Sequence, residues 1–303
     1  MPSDLSEHRF LLGELCPWGL NIDPHKLQES RTSDGVCHKR RRELLLIWSD
    51  HSKVGELRVT RVRIRAPARL HWALLNLSGL LNRVDGGIGL MIDEPAWEIE
   101  AGLDQAGIHG VPLEDDHLAG IQQVLAKLPS GISRQLGIRI VSSIPAHAGL
   151  GSKTSLLLAV GRAASLLSGQ ADSPLNIARL LSRGGTSGIG VNGYSAGGLI
   201  WDVGRKYPAE KSHFGPSSLS HCPPPRAIRL SSLDWLSVVH FRFDRTGLSG
   251  SDEADFFSRT CPLPTIETER LAICTSLQLI PAILDEDEEE LQDGIRSIQE
   301  LGL

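Results

Sequence analysis

A chain of 303 residues, 41% hydrophobic and 22% charged, can bury a full core and has room for one large or two ordinary domains. Its formal charge of −5 argues against binding nucleic acid through general phosphate attraction, and no apolar run approaches the roughly 20 residues that span a bilayer. Five scattered cysteines, odd in number and without a CxxC pair, suggest neither a disulfide framework nor a zinc site.

Residues 1–57 read unlike the rest. They hold polar clusters, the basic run His38-Lys39-Arg40-Arg41-Arg42 and one apolar patch, LLLIW at 44–48, without a sustained period. A loosely ordered extension is expected there, explained by a translation start at Val59 or Val62. The polar, acidic N-terminus shows no signal-peptide pattern, so a cytoplasmic protein is expected.

From residue 58 the pattern tightens. In RVRIRA, Val62 and Ile64 alternate with Arg61, Arg63 and Arg65, the mark of a half-buried strand with a solvated arginine face. NRVDGGIG (82–89) reads as a turn leading into two further strands, LMID and WEIEA. EDDHLAGIQQVLAKL has helical spacing and an acidic start. LGIRIVS (136–142) reads as a strand. The glycine-rich loop IPAHAGLGSKT (144–154) follows, and then a helix to about Leu167. Ser173-Pro174 looks like the N-cap and first-turn proline of another helix, ending at Arg183-Gly184-Gly185. A proline- and serine-rich connection, 207–226, suggests a domain boundary. LDWLSVVHFRF (233–243) should be a buried strand, and two helices, 267–284 and 286–300, should finish the chain. Strands and helices alternate without the regular beat of a doubly wound sheet, which predicts an α+β protein of two domains.

The loop at 144–154 is neither a Walker A motif, since Ser152 rather than glycine precedes Lys153, nor a GxGxxG fingerprint. Gly149 and Gly151 still permit close backbone approach, and the first N–H groups of the following helix lack intrahelical partners, which favours an anion. On physics alone an ordinary strand–helix turn fits equally well.

The motif P-x-x-x-G-L-G-S before a helix resembles the phosphate-wrapping second motif of the GHMP kinase superfamily, and RAPARLHWALLNLSG (65–79) resembles its first. RGGTSGIGVNGYSAGG (183–198) resembles the segment that carries the catalytic aspartate in many of these kinases, and Gly190 stands at that place. Glycine has no carboxylate to deprotonate a hydroxyl. Together with LNRVDGGIGLMIDEP (81–95) and GLSGSDEADFF (247–257), these stretches resemble one branch of the superfamily, the β-ribofuranosylaminobenzene 5′-phosphate synthases of methanopterin biosynthesis. The likeness covers about 60–303. Departures are Asn76 in place of an aspartate, Asp202-Val203-Gly204-Arg205 in place of a more glycine- and histidine-rich form, and an end at Leu303 where the family continues into a further segment.

The resemblance implies a ribosomal-protein-S5-like domain over 58–206 and a partial, truncated ferredoxin-like domain over 207–303. It implies condensation of phosphoribosyl pyrophosphate (PRPP) with 4-aminobenzoate, releasing pyrophosphate and CO2, with Mg2+ on the pyrophosphate and no ATP, and it allows a homodimer. Neither nucleic acid nor a membrane is expected as a partner. A true ATP-dependent GHMP small-molecule kinase, or an inactive phosphate-binding fragment, is the alternative. Lys153, at a helix start, is a candidate catalytic residue that neutralises a phosphate, or else an exposed lysine. Asp85 is a candidate catalytic and magnesium-binding residue, or the aspartate of a simple Asp-Gly turn. Gly149, Gly151, Ser152 and Thr154 would wrap the phosphate, and Arg183, Gly184, Gly185, Thr186 and Ser187 resemble an anion nest. Arg83 could pair with a carboxylate or phosphate, and His71 is either a substrate-binding or a core histidine.

Overall fold

A computed structural model describes residues 9–11, 45–50, 58–170, 172–217, 219–230, 233, 235–239 and 251–301. The basic run 38–42, Cys16, Cys37 and residues 240–250 lie outside them. The described strands are β1 (Arg9–Leu11), β2 (Leu45–Asp50), β3 (Arg58–Asn76), β4 (Arg83–Gly102), β5 (Gly107–Gly110), β6 (Gly137–Ser142), β7 (Leu199–Asp202), β8 (Arg205–Lys206) and β9 (Ala227–Arg229). The helices are α1 (Asp115–Lys127), α2 (Ser130–Ser133), α3 (Ser152–Leu167), α4 (Pro174–Leu180), α5 (Ile189–Asn192), α6 (Ser251–Thr260), α7 (Thr265–Cys274), α8 (Ile280–Leu284) and α9 (Glu288–Leu301).

The strands form one sheet in the order β1-β2-β3-β4-β6-β5, with β7 and β8 on the far part of β4 and β9 on β7. Its spine is the β3–β4 hairpin, and the RVRIRA alternation sets its faces. Val62, Ile64, Ala66 and Ala68 are fully buried, while Arg63 pairs across to Glu98 at 2.8 Å and Arg61 to Asp104 at 2.6 Å. The arginine face is thus laced with ion pairs rather than merely solvated.

NRVDGGIG is not the turn it looks like. The chain reverses earlier, through Leu77–Asn82, where Gly79, Leu81 and Asn82 take left-handed φ angles, and β4 runs unbroken from Arg83. Asn76 closes that turn: its Oδ1 accepts from the Gly79 N–H at 3.1 Å and its Nδ2 donates to Leu80 O at 2.9 Å. An ionised aspartate could not make the second bond.

The helix α3 lies across the sheet and is the centre of the core. Only Lys153 and Thr154, both at its N-terminal end, escape burial among its sixteen residues. Ser173 caps α4 by accepting from the Asn176 N–H at 3.2 Å, as its Ser-Pro start predicts. Helix α7, a five-residue π segment (Thr275–Leu279) and α8 run on as one rod, and α9 returns beside it after Asp287 accepts from the Glu290 N–H at 2.9 Å. Leu271, Leu279, Ile283 and Ile298 join the same core cluster as the sheet. The apolar run at 233–243 was expected as a strand, but described residues 233 and 235–239 form none, and Val239 is exposed. A strand needs a ladder partner, and beyond 230 the described elements are helices.

Of residues 1–57, those at 9–11 and 45–50 are described and form strands, and the rest of the expected extension lies outside the described residues. Leu45–Asp50 pairs antiparallel with β3, with Leu45 opposite Ile64 and Trp48 opposite Arg61. A chain beginning at Val59 would leave that edge of β3 unpaired. Its unfolding midpoint should therefore fall several degrees below that of the full chain, since about 1 kcal/mol moves a domain of 150–250 residues by roughly 2–4 °C. Equal midpoints in a thermal melt would show that this pairing contributes nothing.

Candidate active site

The loop after β6 carries the chain over the edge of β3 to the start of α3. Leu150 O accepts from the Arg69 N–H at 3.0 Å, and Ser155 Oγ donates to Pro67 O at 2.8 Å, so loop and helix are bonded to the strand. The buried Ser152 hydroxyl donates to Ile144 O at 2.8 Å and meets His117 Nε2 at 2.7 Å, joining the loop's end to its beginning. Trp97 Nε1 donates to Ser152 O at 3.0 Å. Gly151, the N-cap, has φ +69° and makes no side-chain cap. A Cβ there would stand 2.9 Å from Arg69 Cγ, so only glycine lets the arginine lie against the loop. The first N–H groups of α3 are left without intrahelical acceptors.

A cleft of ≈690 Å3 opens in front of that helix end. Three cations line it. Arg69 Nη1 donates to Gly149 O at 2.7 Å, Lys153 Nζ to Asp116 Oδ1 at 2.5 Å, and Arg183 Nη2 to Thr154 Oγ1 at 2.8 Å. Burial lowers the pKa of Arg69 to about 10, against the opposing pull of Glu253, so the guanidinium keeps its charge near neutrality. Among the described residues the carboxylates lining the cleft are Asp116 and Glu253, and burial raises the pKa of Glu253 against the effect of Arg69. Leu74, Met91, Phe256 and Phe257 give the same cleft an apolar wall. The cations at the start of α3 suit an anion, and the apolar wall suits a flat apolar group.

Of the residues singled out in the sequence, His71, Gly149, Gly151, Ser152, Lys153, Thr154, Arg183, Gly184, Thr186 and Ser187 line this cleft. Several do so in roles other than those expected. The Ser152 hydroxyl is spent inside the loop. Thr186 Oγ1 is spent too, donating to Gly215 O at 2.7 Å and accepting from Lys211 Nζ at 3.0 Å. Gly185 packs away from the cleft, where a Cβ would meet Ser220 O at 2.2 Å. Arg83 bonds Val203 O through Nε and Nη2 at 3.1 and 2.6 Å and supports the turn before β8.

Asp85 requires the firmest correction. Its carboxylate is fully buried, with Lys211 Nζ 3.0 and 2.9 Å from its two oxygens and Arg205 Nη1 at 3.3 Å, and it does not line the cleft. It is therefore no ligand for a metal entering there. Among the described residues no group of three or more His, Cys, Asp or Glu side chains could hold a metal ion.

His71 lines the cleft with its Nε2 buried and unpartnered. Burial, and then the charge of Arg69, push its pKa down to about 3, so it is neutral at physiological pH. The unfolded chain takes up that proton at about pH 6.5. Between these values the unfolded state binds one more proton, so stability is full above pH 6.5 and falls as pH drops towards 3, by up to about 1.4 kcal/mol per pH unit. His71→Gln should remove that slope in urea melts at pH 7, 6 and 5. Parallel losses in both proteins would mean that His71 charges within the fold.

Arg69, Asp116, Glu253, Phe256 and Phe257 lie within stretches whose pattern the sequence shows, but nothing in the sequence gives them a place in the site. Arg69 has the parity of the ion-paired Arg61, Arg63 and Arg65, and the overlying loop distinguishes it. Asp116 was legible as part of an acidic helix start, but its meeting with Lys153 spans 37 positions.

Comparison with known proteins gives the family and the fold. Residues 117–198, from α1 to just before β7, match the GHMP kinases N terminal domain. The chain is 38% identical to β-ribofuranosylphenol 5′-phosphate synthase of Archaeoglobus fulgidus over 243 residues, 80% of this chain and 76% of that one. The chain belongs to this synthase family. The protein of the same name from Methanothermobacter thermautotrophicus is 33% identical over 80% of this chain and 77% of its own. The phosphomevalonate kinase of Streptococcus pneumoniae, at 12% identity, shares the fold with a TM-score of 0.52, over 80% of this chain and 79% of that one. The family thus uses a kinase-like α+β GHMP fold under a synthase name. Among the described residues no helix is long and apolar enough to cross a membrane.

Proposed function

We propose that the protein transfers the 5-phosphoribosyl group of PRPP to the ring of a para-substituted benzoate in the cytoplasm, forming a carbon–carbon bond with loss of CO2 and pyrophosphate. The observation that carries this reading over phosphoryl transfer is Gly190. A Cβ built there would lie 3.6 Å from Arg69 Cγ and 4.0 Å from Thr154 Cγ2, so the position faces the cationic part of the cleft and holds no carboxylate.

The chemistry needs none. The bond from ribosyl C1 to pyrophosphate breaks with its electron pair going to the leaving group. The ring carbon bearing the carboxylate bonds to C1, and the C–CO2 bond then returns its pair to the ring. No proton is released, so no general base is required, unlike the phosphorylation of a hydroxyl. The residues would instead stabilise charge. Arg69, Lys153, Arg183 and the α3 N–H groups face the departing pyrophosphate, each preorganised donor contributing roughly 3–4 kcal/mol in a dry site. The apolar wall would take the ring and keep water from C1. Mg2+ would arrive on the pyrophosphate and neutralise part of its charge, with Asp116 or Glu253, not Asp85, as the protein oxygens to face it.

The sequence resemblance points to 4-aminobenzoate, whereas the relatives' names specify a phenol product, for which the matching acceptor is 4-hydroxybenzoate. Incubating the protein with PRPP, Mg2+ and each acid in turn tests both. CO2 and pyrophosphate should appear one for one, and the preferred acid is the one with the higher kcat/KM. Phosphorylation of a small alcohol by ATP, without use of PRPP, would overturn the reading in favour of a kinase. No turnover of either kind would leave a phosphate-binding protein.

A further inference from the structure

Beneath the second glycine-rich wall lies a cluster of four buried charges: Asp85, Asp202, Arg205 and Lys211. They come from distant places. Asp85 sits in a left-handed kink of β4 with φ 62°, Asp202 ends β7, Arg205 opens β8, and Lys211 belongs to the segment that reads as a domain linker. Two carboxylates meet two cations, so the cluster carries no net charge and attracts no anion by itself.

Its bonds run into the wall of the cleft. Arg205 Nη2 donates to Gly184 O at 2.8 Å, Lys211 Nζ to Thr186 Oγ1 at 3.0 Å, and the Gly188 N–H donates to Asp202 Oδ2 at 2.5 Å. Alternate residues of the 184–188 segment are thus pinned from below, one by each of three charges. Lys211 also joins two walls, since Thr186 Oγ1 donates to Gly215 O and the Thr186 N–H to Ser217 Oγ at 3.3 Å, beside Pro216 and Ser217 of the cleft lining. The hydroxyl and the N–H of Thr186 are thus both engaged within the protein. Its neighbours Arg183 and Ser187 remain to meet a ligand.

We propose that Lys211 is a positioning residue, which with Asp85 holds the Thr186–Ser187 wall of the cleft from beneath in the conformation that receives the diphosphate of the donor. The inference rests on the ribosyl-transfer reading. A single ammonium suits the place because its three N–H bonds radiate to Asp85, Thr186 and the Gly215 carbonyl, and no neutral side chain of that length can do the same.

The test uses the full chain and inorganic pyrophosphate with Mg2+, followed by titration calorimetry, alongside steady-state kinetics. Thr186→Val cuts the link from Lys211 to the wall and leaves the Asp85 pair intact. The double change Asp85→Asn with Lys211→Met removes the clamp while keeping the buried charges balanced. Both should bind pyrophosphate at least tenfold more weakly and raise the KM for PRPP by a similar factor, with the KM for the aryl acceptor unchanged, whatever the unfolding midpoint of the double variant. Pyrophosphate binding as in the unaltered protein by Thr186→Val, or by the double variant, overturns the inference and leaves the cluster a matter of stability. A parallel rise in both KM values does the same. Absence of pyrophosphate binding by the unaltered protein would instead overturn the ribosyl-transfer reading, and this inference with it.

Discussion

Asp85→Ala should lower the unfolding midpoint of the free protein on the order of 10 °C, because removing one partner of a buried ion pair costs about 3–5 kcal/mol. Without that carboxylate Lys211 keeps only Thr186 Oγ1 at 3.0 Å and the long contact to Gly215 O at 3.5 Å, deep in the protein. It must then lose its proton or draw water into the core, and either outcome loosens the kink of β4. Arg296→Ala, on an exposed side chain paired with Asp293 on the same helix, should move the midpoint by no more than a degree or two and serves as the control. The measurement also separates two roles for Asp85. A carboxylate that served only a metal carried in by substrate would leave the midpoint of the free protein unchanged, and a melt showing that would restore Asp85 to the reaction.

Gly190→Asp should cut kcat/KM for PRPP by about two powers of ten while leaving the fold intact. The site has room: the neighbours of an added Cβ are at ordinary contact distance, and the backbone there is not in the left-handed region. A carboxylate at that point would lie beside Arg69 and Thr154, and a separation on the order of 6 Å from a diphosphate bound there is assumed. At an effective dielectric constant of about 20, two unit charges at that distance repel by roughly 3 kcal/mol, which is the stated loss of rate. It would also pair with Arg69 and take that charge from the substrate. Gly190→Ala adds bulk without charge and should stay within a fewfold of the unaltered enzyme. Equal losses from alanine and aspartate would mean that space, not charge, is what glycine provides.

The legibility of this chain follows from the range of its interactions. The loop, α3, the Ser173 cap and β6 are written in neighbouring residues, through glycines, a proline and apolar spacing, and they stand where the sequence puts them. Asp85 and Gly86 do have turn-like backbone angles, φ 62° and 72°, as Asp-Gly-Gly suggests. Yet they form a kink inside a twenty-residue strand, because β3 and β7 supply ladders on both sides. The partner that decides the role of Asp85 is Lys211, 126 positions on, in a stretch whose prolines and serines read only as a linker. Arg69 shares its parity with arginines that pair with acids across the sheet, and Glu253 looks like any acid in the first turn of a helix. Charges whose meaning depends on a distant partner were not legible from a single sequence.

The near-complete burial of α3 has a consequence for how the cleft meets its ligand. Amides in a helix enclosed on all sides exchange with solvent only when the whole domain opens, so α3 should be among the slowest-exchanging parts of the protein. Lys153 and Thr154, the two residues outside that enclosure, are therefore carried on an anchored stem. An anion arriving at the helix end finds its donors already aligned, and little conformational entropy is lost in ordering them. Accommodation between substrates of different shape then falls to the part of the lining where Glu253, Phe256 and Phe257 come from the short helix α6.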